Sequence, residues 1–98
     1  MAKHPCVYIL ASGKRGYIYI GVTSDLPGRY WQHQEGTFEG FAKRRNCKQL
    51  VYIEMFATME EAIAREKQLK NWHRDWKINL VEGDNADWRD LGVEMGLR

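Results

Sequence analysis

Two short segments near the start of the chain, residues 6–11 and 17–22, are apolar throughout, and in the second of them tyrosines alternate with isoleucines. Alternation with a period of two is typical of a β-strand with one buried face. The segment between them, residues 12–16, contains two glycines and favours a tight turn. The pattern therefore predicts a β-hairpin.

The strand period divides the side chains of this hairpin between two faces. Tyr8, Tyr19 and Gly21 fall on one face, and aliphatic side chains fall on the other. Opposed residues share a face, so pairing the aliphatic sides requires their residue numbers to sum to an odd value. This register places Tyr8 near Tyr19 or Gly21. A tyrosine-bearing face of this kind suits a site for chemistry on phosphates.

A short helix is predicted directly after the hairpin. Ser24 or Asp25 is placed to cap it, and Pro27 falls in its first turn, where proline is tolerated. Arg29 and His33 are one turn apart on this helix and share a side. The basic helix side is therefore expected to lie next to the tyrosine face.

The second half of the chain predicts a third strand and further helices. Residues 50–56 are almost continuously apolar, which indicates a central, largely buried strand. Thr58 and Glu61 form a capping box that starts a long helix. The predicted helices are 59–72, 74–82 and 85–91. The sequence therefore predicts an α+β fold: a small three-stranded, mainly antiparallel sheet flanked by helices, in the order β-β-α-β-α-α.

Charge is unevenly distributed along the 98 residues, whose number predicts a single domain, 1–98. Residues 1–81 carry 13 basic and 8 acidic side chains, whereas the C-terminal segment 82–98 carries 2 and 5. A basic body with an acidic end suits a polyanionic partner. Lys43, Arg44 and Arg45 form the densest basic cluster, which is either a solvated loop or a set of phosphate contacts.

Several protein classes are disfavoured by composition. No apolar run approaches the roughly 20 residues that span a bilayer, so no membrane association is expected. The N-terminus lacks the pattern of a signal peptide. Cys6 and Cys47 have no zinc-binding spacing and predict no disulfide framework, so a reducing cytoplasm is the expected compartment.

Glu66 stands out on the long helix because it shares the apolar stripe. A carboxylate that faces a core is costly unless it is paired or binds a cation. Two interpretations remain open: a half-buried salt bridge, for example to Arg29, or a carboxylate ligand for Mg²⁺. The apolar members of the stripe are Met59, Ala62, Ile63 and Leu69.

Taken in order along the chain, these features resemble the GIY-YIG nucleases. Tyr8 lies in the first motif position, and Tyr19-Ile20-Gly21 forms the second motif. Arg29 follows at the family spacing, with His33 one turn later, and Glu66 lies in a segment like the one that carries the family's metal-binding glutamate. The similarity is greatest to small single-domain bacterial endonuclease-like members related to the N-terminal domain of the excinuclease C protein.

The resemblance implies a DNA endonuclease that uses Mg²⁺ or Mn²⁺ to hydrolyse phosphodiester bonds in DNA repair, recombination or processing. It implies that Tyr8 or Tyr19 helps to deprotonate the attacking water, and Tyr8 is favoured. Arg29 would stabilise charge on the phosphate. His33 would bind the phosphate or transfer a proton, and Glu66 would hold the metal ion.

The resemblance also implies orienting roles for Gly21 and Asn79 and a DNA substrate. The chain shows no zinc finger or second domain, so specificity would come from the domain itself, from a homodimer or from a protein partner. The alternative function is a nucleic-acid-binding module that keeps the GIY-YIG scaffold with little or no turnover.

Overall fold

A computed structural model describes residues 4–38 and 40–97 and contains one antiparallel sheet with helices on both faces. Strands β1 (Cys6–Ala11), β2 (Ile18–Thr23) and β3 (Gln49–Met55) lie in the order β2-β1-β3. The helices are α1 (Leu26–Glu35), α2 (Phe41–Arg44), α3 (Met59–Lys70), α4 (Arg74–Asp84) and α5 (Leu91–Glu94). The predicted α+β class and element order are confirmed, and the short helix α2 between α1 and β3 is an addition to that order.

The hairpin register agrees with the prediction from its aliphatic side chains. Tyr8 pairs with Gly21 and Leu10 pairs with Tyr19, so the tyrosine side chains share one face of the sheet. On the opposite face, Val7 and Ile9 join a core that α3 and α4 complete. The tyrosine face is covered instead by α1, α2 and α5, with buried residues from each of the first two helices.

The predicted helix starts are also present in the structure. The Asp25 side chain accepts a hydrogen bond from the Gly28 amide at 3.3 Å at the start of α1. The Thr58 hydroxyl accepts from the Glu61 amide at 3.2 Å, and the Glu61 side chain reaches back to that hydroxyl at 3.1 Å. Every helix in the described part of the chain is too short or too polar to cross a bilayer.

The predicted central position of the third strand is wrong, because β1 lies in the middle of the described sheet. β3 is apolar because helices cover both of its faces. Val51 and Tyr52 pack into the core shared with α3 and α4, whereas Leu50 and Ile53 pack on the tyrosine side. An edge strand with two buried faces shows the same continuous apolar run as a central strand.

The predicted last helix, 85–91, is also wrong: the helix begins at Leu91. The buried Asn85 side chain organises the preceding segment by donating to the Val51 carbonyl at 3.1 Å and bonding both the amide and the carbonyl of Arg89. Trp88 adopts a positive φ of 58°, which a helix does not permit. Side-chain hydrogen bonds therefore replace a helical turn here.

Candidate active site

Helix α1 brings Arg29 and His33 onto the tyrosine face of the sheet. The Tyr8 hydroxyl lies 3.1 Å from His33 Nε2, and Arg29 Nη1 donates to the same hydroxyl at 3.4 Å. These contacts follow from the spacing of one helical turn between the arginine and the histidine. Three of the predicted catalytic side chains are thus linked through one phenolic oxygen.

Tyr19 and Phe38 complete this group, which we call the tyrosine cluster: Tyr8, Tyr19, Arg29, His33 and Phe38. The Tyr19 ring lies 6.2 Å from the Tyr8 ring and 5.5 Å from the His33 ring. Phe38 stacks 4.8 Å from His33, and the Arg29 guanidinium lies 4.4 Å above the Phe38 ring. The sequence analysis did not assign Phe38 to the site, because only the folding of the loop after α1 brings it there.

The absence of a side chain at Gly21 leaves room for the Tyr8 ring. A Cβ atom at this position would lie 2.4 Å from both Cζ and the hydroxyl oxygen of Tyr8, far inside contact distance. The phenol therefore packs directly on the backbone of β2. Any side chain at position 21 would displace the Tyr8 phenol from this place.

The environment sets the protonation of the cluster. Burial, with the positive charge of Arg29 as a smaller cause, lowers the pKa of His33 to about 4. Burial and the neighbouring Tyr19 raise the pKa of Tyr8 well above its usual range, although Arg29 opposes this. At neutral pH, His33 is therefore a neutral imidazole, and its Nε2 accepts the hydrogen bond from protonated Tyr8.

Access to solvent separates the two tyrosines. Tyr8 is 1% exposed and His33 is 4% exposed, whereas Tyr19 is half-buried. Tyr19 borders a groove of about 340 Å³ on β2, which we call the β2 groove. The groove is lined by Ile18, Tyr19, Ile20, Phe41, Lys70 and Lys77. Tyr19 is thus the cluster residue that meets this groove.

Glu66 lies on α3, with its side chain 15% exposed, as its place on the apolar stripe predicts. Its carboxylate pairs with Lys70 Nζ at 3.5 Å, one helical turn along, rather than with Arg29. Because Lys70 also lines the β2 groove, this ion pair connects Glu66 to the groove that Tyr19 borders.

A metal ion at Glu66 would have few ligands from the described residues. Within residues 4–38 and 40–97, no three His, Cys, Asp or Glu side chains are grouped to hold a metal. Mg²⁺ keeps several waters and often takes one or two carboxylates together with substrate phosphates. The largely buried Glu66 carboxylate, paired with Lys70 of the β2 groove, therefore fits a hydrated Mg²⁺ and does not fit a dedicated protein cage.

The remaining predicted residues lie outside the tyrosine cluster. Lys43 and Arg44 are exposed on α2, and the guanidinium of the following Arg45 lies 4.7 Å above the Tyr17 ring. Asn79 is exposed on α4, where it lines a separate groove of about 360 Å³ with Trp72, Trp76 and Leu80. The buried asparagine of this region is Asn85, which the sequence analysis did not single out.

Comparison with known proteins identifies the family of this chain. Residues 4–79 match the family model described as the GIY-YIG catalytic domain. The UPF0213 protein of Staphylococcus saprophyticus is 38% identical over 81 residues, which cover 83% of this chain and 96% of that protein. Its counterpart in Staphylococcus haemolyticus is 37% identical over 82 residues, 84% of this chain and 98% of that protein.

A solved structure shares the fold as well as the sequence similarity. The solution NMR structure of the UPF0213 protein from Bacillus halodurans superposes with a TM-score of 0.56 at 30% identity. The match covers 90% of this chain and 93% of the Bacillus halodurans chain. Together with the motif residues gathered in the tyrosine cluster, these matches show that the chain belongs to the GIY-YIG nuclease family.

Proposed function

We propose that this protein is a divalent-metal-dependent DNA endonuclease that hydrolyses phosphodiester bonds during DNA repair, recombination or processing. The observation that carries the proposal is the hydrogen-bonded contact of Tyr8 with Arg29 and His33, packed against Tyr19. Tyr19 borders the β2 groove, and Lys70 of the same groove is paired with Glu66. The buried, free thiols of Cys6 and Cys47 suit a reducing compartment, so we place this activity in the cytoplasm.

The two tyrosines have different roles in this proposal. Tyr19 borders the β2 groove, so we assign it to orienting the attacking water. Tyr8 is too buried to meet that water, and its high pKa keeps it protonated. It lies beside both Tyr19 and neutral His33 and donates a hydrogen bond to Nε2, so these two side chains hold the Tyr19 ring in position. The tyrosine that acts first on the water is thus Tyr19.

Arg29 supplies the positive charge for the phosphate. Its guanidinium is held by the Tyr8 hydroxyl and the Phe38 ring, and within the described residues no carboxylate pairs with it. An arginine whose charge is not neutralised can present its planar donors to two phosphate oxygens. We therefore assign Arg29 to stabilising the charge that develops during hydrolysis.

Glu66 would hold Mg²⁺ or Mn²⁺. When bound, such an ion neutralises phosphate charge and stabilises the leaving oxygen. An ion on Glu66 would take the place of Lys70 as the partner of this carboxylate, and the charge of Lys70 in the β2 groove would then favour a polyanionic strand. The exposed Lys43, Arg44 and Arg45 extend this charge along the surface for further phosphate contacts.

The alternative function is a nucleic-acid-binding module with little turnover. The 1% exposure of Tyr8 favours it, because a closed cluster can serve the fold without acting on a substrate. The alternative does not require the half-buried Glu66. A test of catalysis must therefore separate binding from cleavage and must compare Glu66 with a carboxylate that has no role in the site.

The experiment incubates purified protein with end-labelled branched, single-stranded and duplex DNA in Mg²⁺, Mn²⁺ or EDTA. We expect cleavage by the wild type with metal and none in EDTA or in Glu66→Ala. Glu60→Ala is the matched control, because Glu60 is an exposed carboxylate in the first turn of the same helix, and it should cleave like the wild type. Binding of DNA by the wild type without cleavage in any metal would refute the endonuclease and support the alternative.

A further inference from the structure

Tyr17 and Phe41 form an exposed aromatic pair beside the tyrosine cluster. Their ring centres lie 6.1 Å apart with the planes at 77°. Tyr17 is 49% exposed and Phe41 is 38% exposed. Neighbouring exposed rings flanked by polar residues are typical of interaction surfaces. Neither ring has a role in the proposed hydrolysis.

The backbone fixes this aromatic pair relative to the β2 groove. Tyr17 precedes β2 and shares the strand face of Tyr19, about 7 Å away along the strand. Its carbonyl accepts the Ser12 amide at 3.0 Å, which continues the hairpin ladder. Phe41 itself lines the β2 groove together with Tyr19 and Lys70. The pair therefore lies next to the place where the proposed hydrolysis occurs.

Cationic side chains lie around the aromatic pair; of these, Lys70 is paired with Glu66 and Arg15 with Glu82. The Arg45 guanidinium lies 4.7 Å above the Tyr17 ring. Lys70 and Lys77 line the β2 groove on the Phe41 side. On the other side of Tyr17, a depression of about 480 Å³ is lined by Ser12, Arg15, Gly16, Tyr17 and Arg74. Aromatic rings interleaved with cations are the arrangement that binds single-stranded nucleic acids.

We propose that Tyr17 and Phe41 bind an unpaired base of the substrate strand, while Arg45 contacts a neighbouring phosphate. In a duplex, adjacent bases cover each base face, so a side chain can stack only on a base that is unstacked. The substrate class is therefore DNA with a single-stranded or unpaired segment next to the cut. This inference rests on the proposed function for the cut, but its binding step can be tested alone.

The test measures binding by fluorescence anisotropy in EDTA, so that cleavage plays no part. The probes are a fluorescein-labelled 12-nucleotide oligo-dT, the same strand with abasic sites at its centre, and a 12-base-pair duplex. We expect Tyr17→Ala to raise the Kd for oligo-dT roughly tenfold, and to raise it less than about twofold for the abasic strand. Tyr17→Phe keeps the ring and should restore most of the affinity.

Trp31→Ala is the matched control, because Trp31 is a 58% exposed aromatic residue on α1 that is outside the aromatic pair. It should bind all three probes like the wild type. Phe41→Ala is a second variant and should also bind oligo-dT more weakly. Thermal unfolding of each variant shows whether the fold is retained.

Two outcomes would overturn the inference. One is equal loss of affinity by Tyr17→Ala for oligo-dT, the abasic strand and the duplex, because the ring would then act through the fold or the phosphates. The other is an unchanged Kd for oligo-dT in both Tyr17→Ala and Phe41→Ala. A wild type that stacks bases in EDTA and cleaves no DNA with metal would refute the proposed endonuclease alone.

Discussion

Acid should destabilise this protein through His33, and replacement of His33 by glutamine should remove that part of the pH dependence. The imidazole is 4% exposed, with Tyr8, Tyr19 and Phe38 around it and the charge of Arg29 nearby. Its pKa is lowered from 6.5 to about 4. Below pH 6.5 the unfolded chain binds a proton that the folded chain excludes, so the unfolding free energy falls as pH falls towards 4.

The size of this effect follows from the two pKa values. The interval from 6.5 to about 4 corresponds to about 3 kcal/mol, because each pKa unit is worth about 1.36 kcal/mol. About 2 kcal/mol of this is lost by pH 5. Above pH 7 the full contribution is present. This loss is a large fraction of the total unfolding free energy of a small domain, which is about 5–15 kcal/mol, so it is readily measured.

Urea unfolding of the wild type and of His33→Gln at pH 7, 6 and 5 provides the assay. The glutamine side chain is neutral throughout, and the other ionisable groups are common to both proteins, so the difference between them isolates the imidazole. The stability of the wild type relative to the variant should fall by about 2 kcal/mol from pH 7 to pH 5. A difference that stays constant across this range would refute the assignment of His33 as a buried neutral base.

Three further variants test other parts of the structure. Gly21→Ala should lower the unfolding free energy by about 1–3 kcal/mol in urea titrations and displace the Tyr8 ring, because the new Cβ would overlap it. Asn85→Ala should cost about 2–3 kcal/mol by the same measurement, since it leaves buried backbone groups unpaired, whereas exposed Asn79→Ala should change stability by less than about 0.5 kcal/mol. Arg44→Ala should reduce the slope of log Kd against log salt for single-stranded DNA by about 0.7, and an unchanged slope would exclude a phosphate contact.

Local patterns predicted the hairpin well because its register depends on residues that are close in sequence. The strand period and the odd register sum placed Tyr8 near Tyr19 or Gly21 without knowledge of the rest of the chain, and the structure pairs it with Gly21. Helical spacing likewise placed Arg29 and His33 on one side of α1, where both contact Tyr8. The apolar stripe of α3 correctly indicated that Glu66 is largely buried.

Predictions failed where contacts distant in sequence decide the structure. The apolar run of the third strand could not show whether strands or helices cover it, and β3 lies beside β1 rather than between two strands. The segment after α4 follows the side-chain hydrogen bonds of Asn85 to Val51 and Arg89, which no helical pattern reveals. The partner of Glu66 was likewise open, because a stripe shows burial and does not identify the neighbour that is within reach.

The most direct test concerns the hydroxyl of Tyr19, the cluster residue that borders the β2 groove. Tyr19→Phe removes one oxygen from a half-buried ring, so stability should change by less than about 0.5 kcal/mol. The measurement is the single-turnover rate of cleavage of labelled DNA with Mg²⁺, alongside the Kd for the same DNA. We expect the rate of Tyr19→Phe to fall about 10²- to 10⁴-fold with little change in Kd. A rate equal to that of the wild type would contradict the proposed role of this tyrosine in hydrolysis.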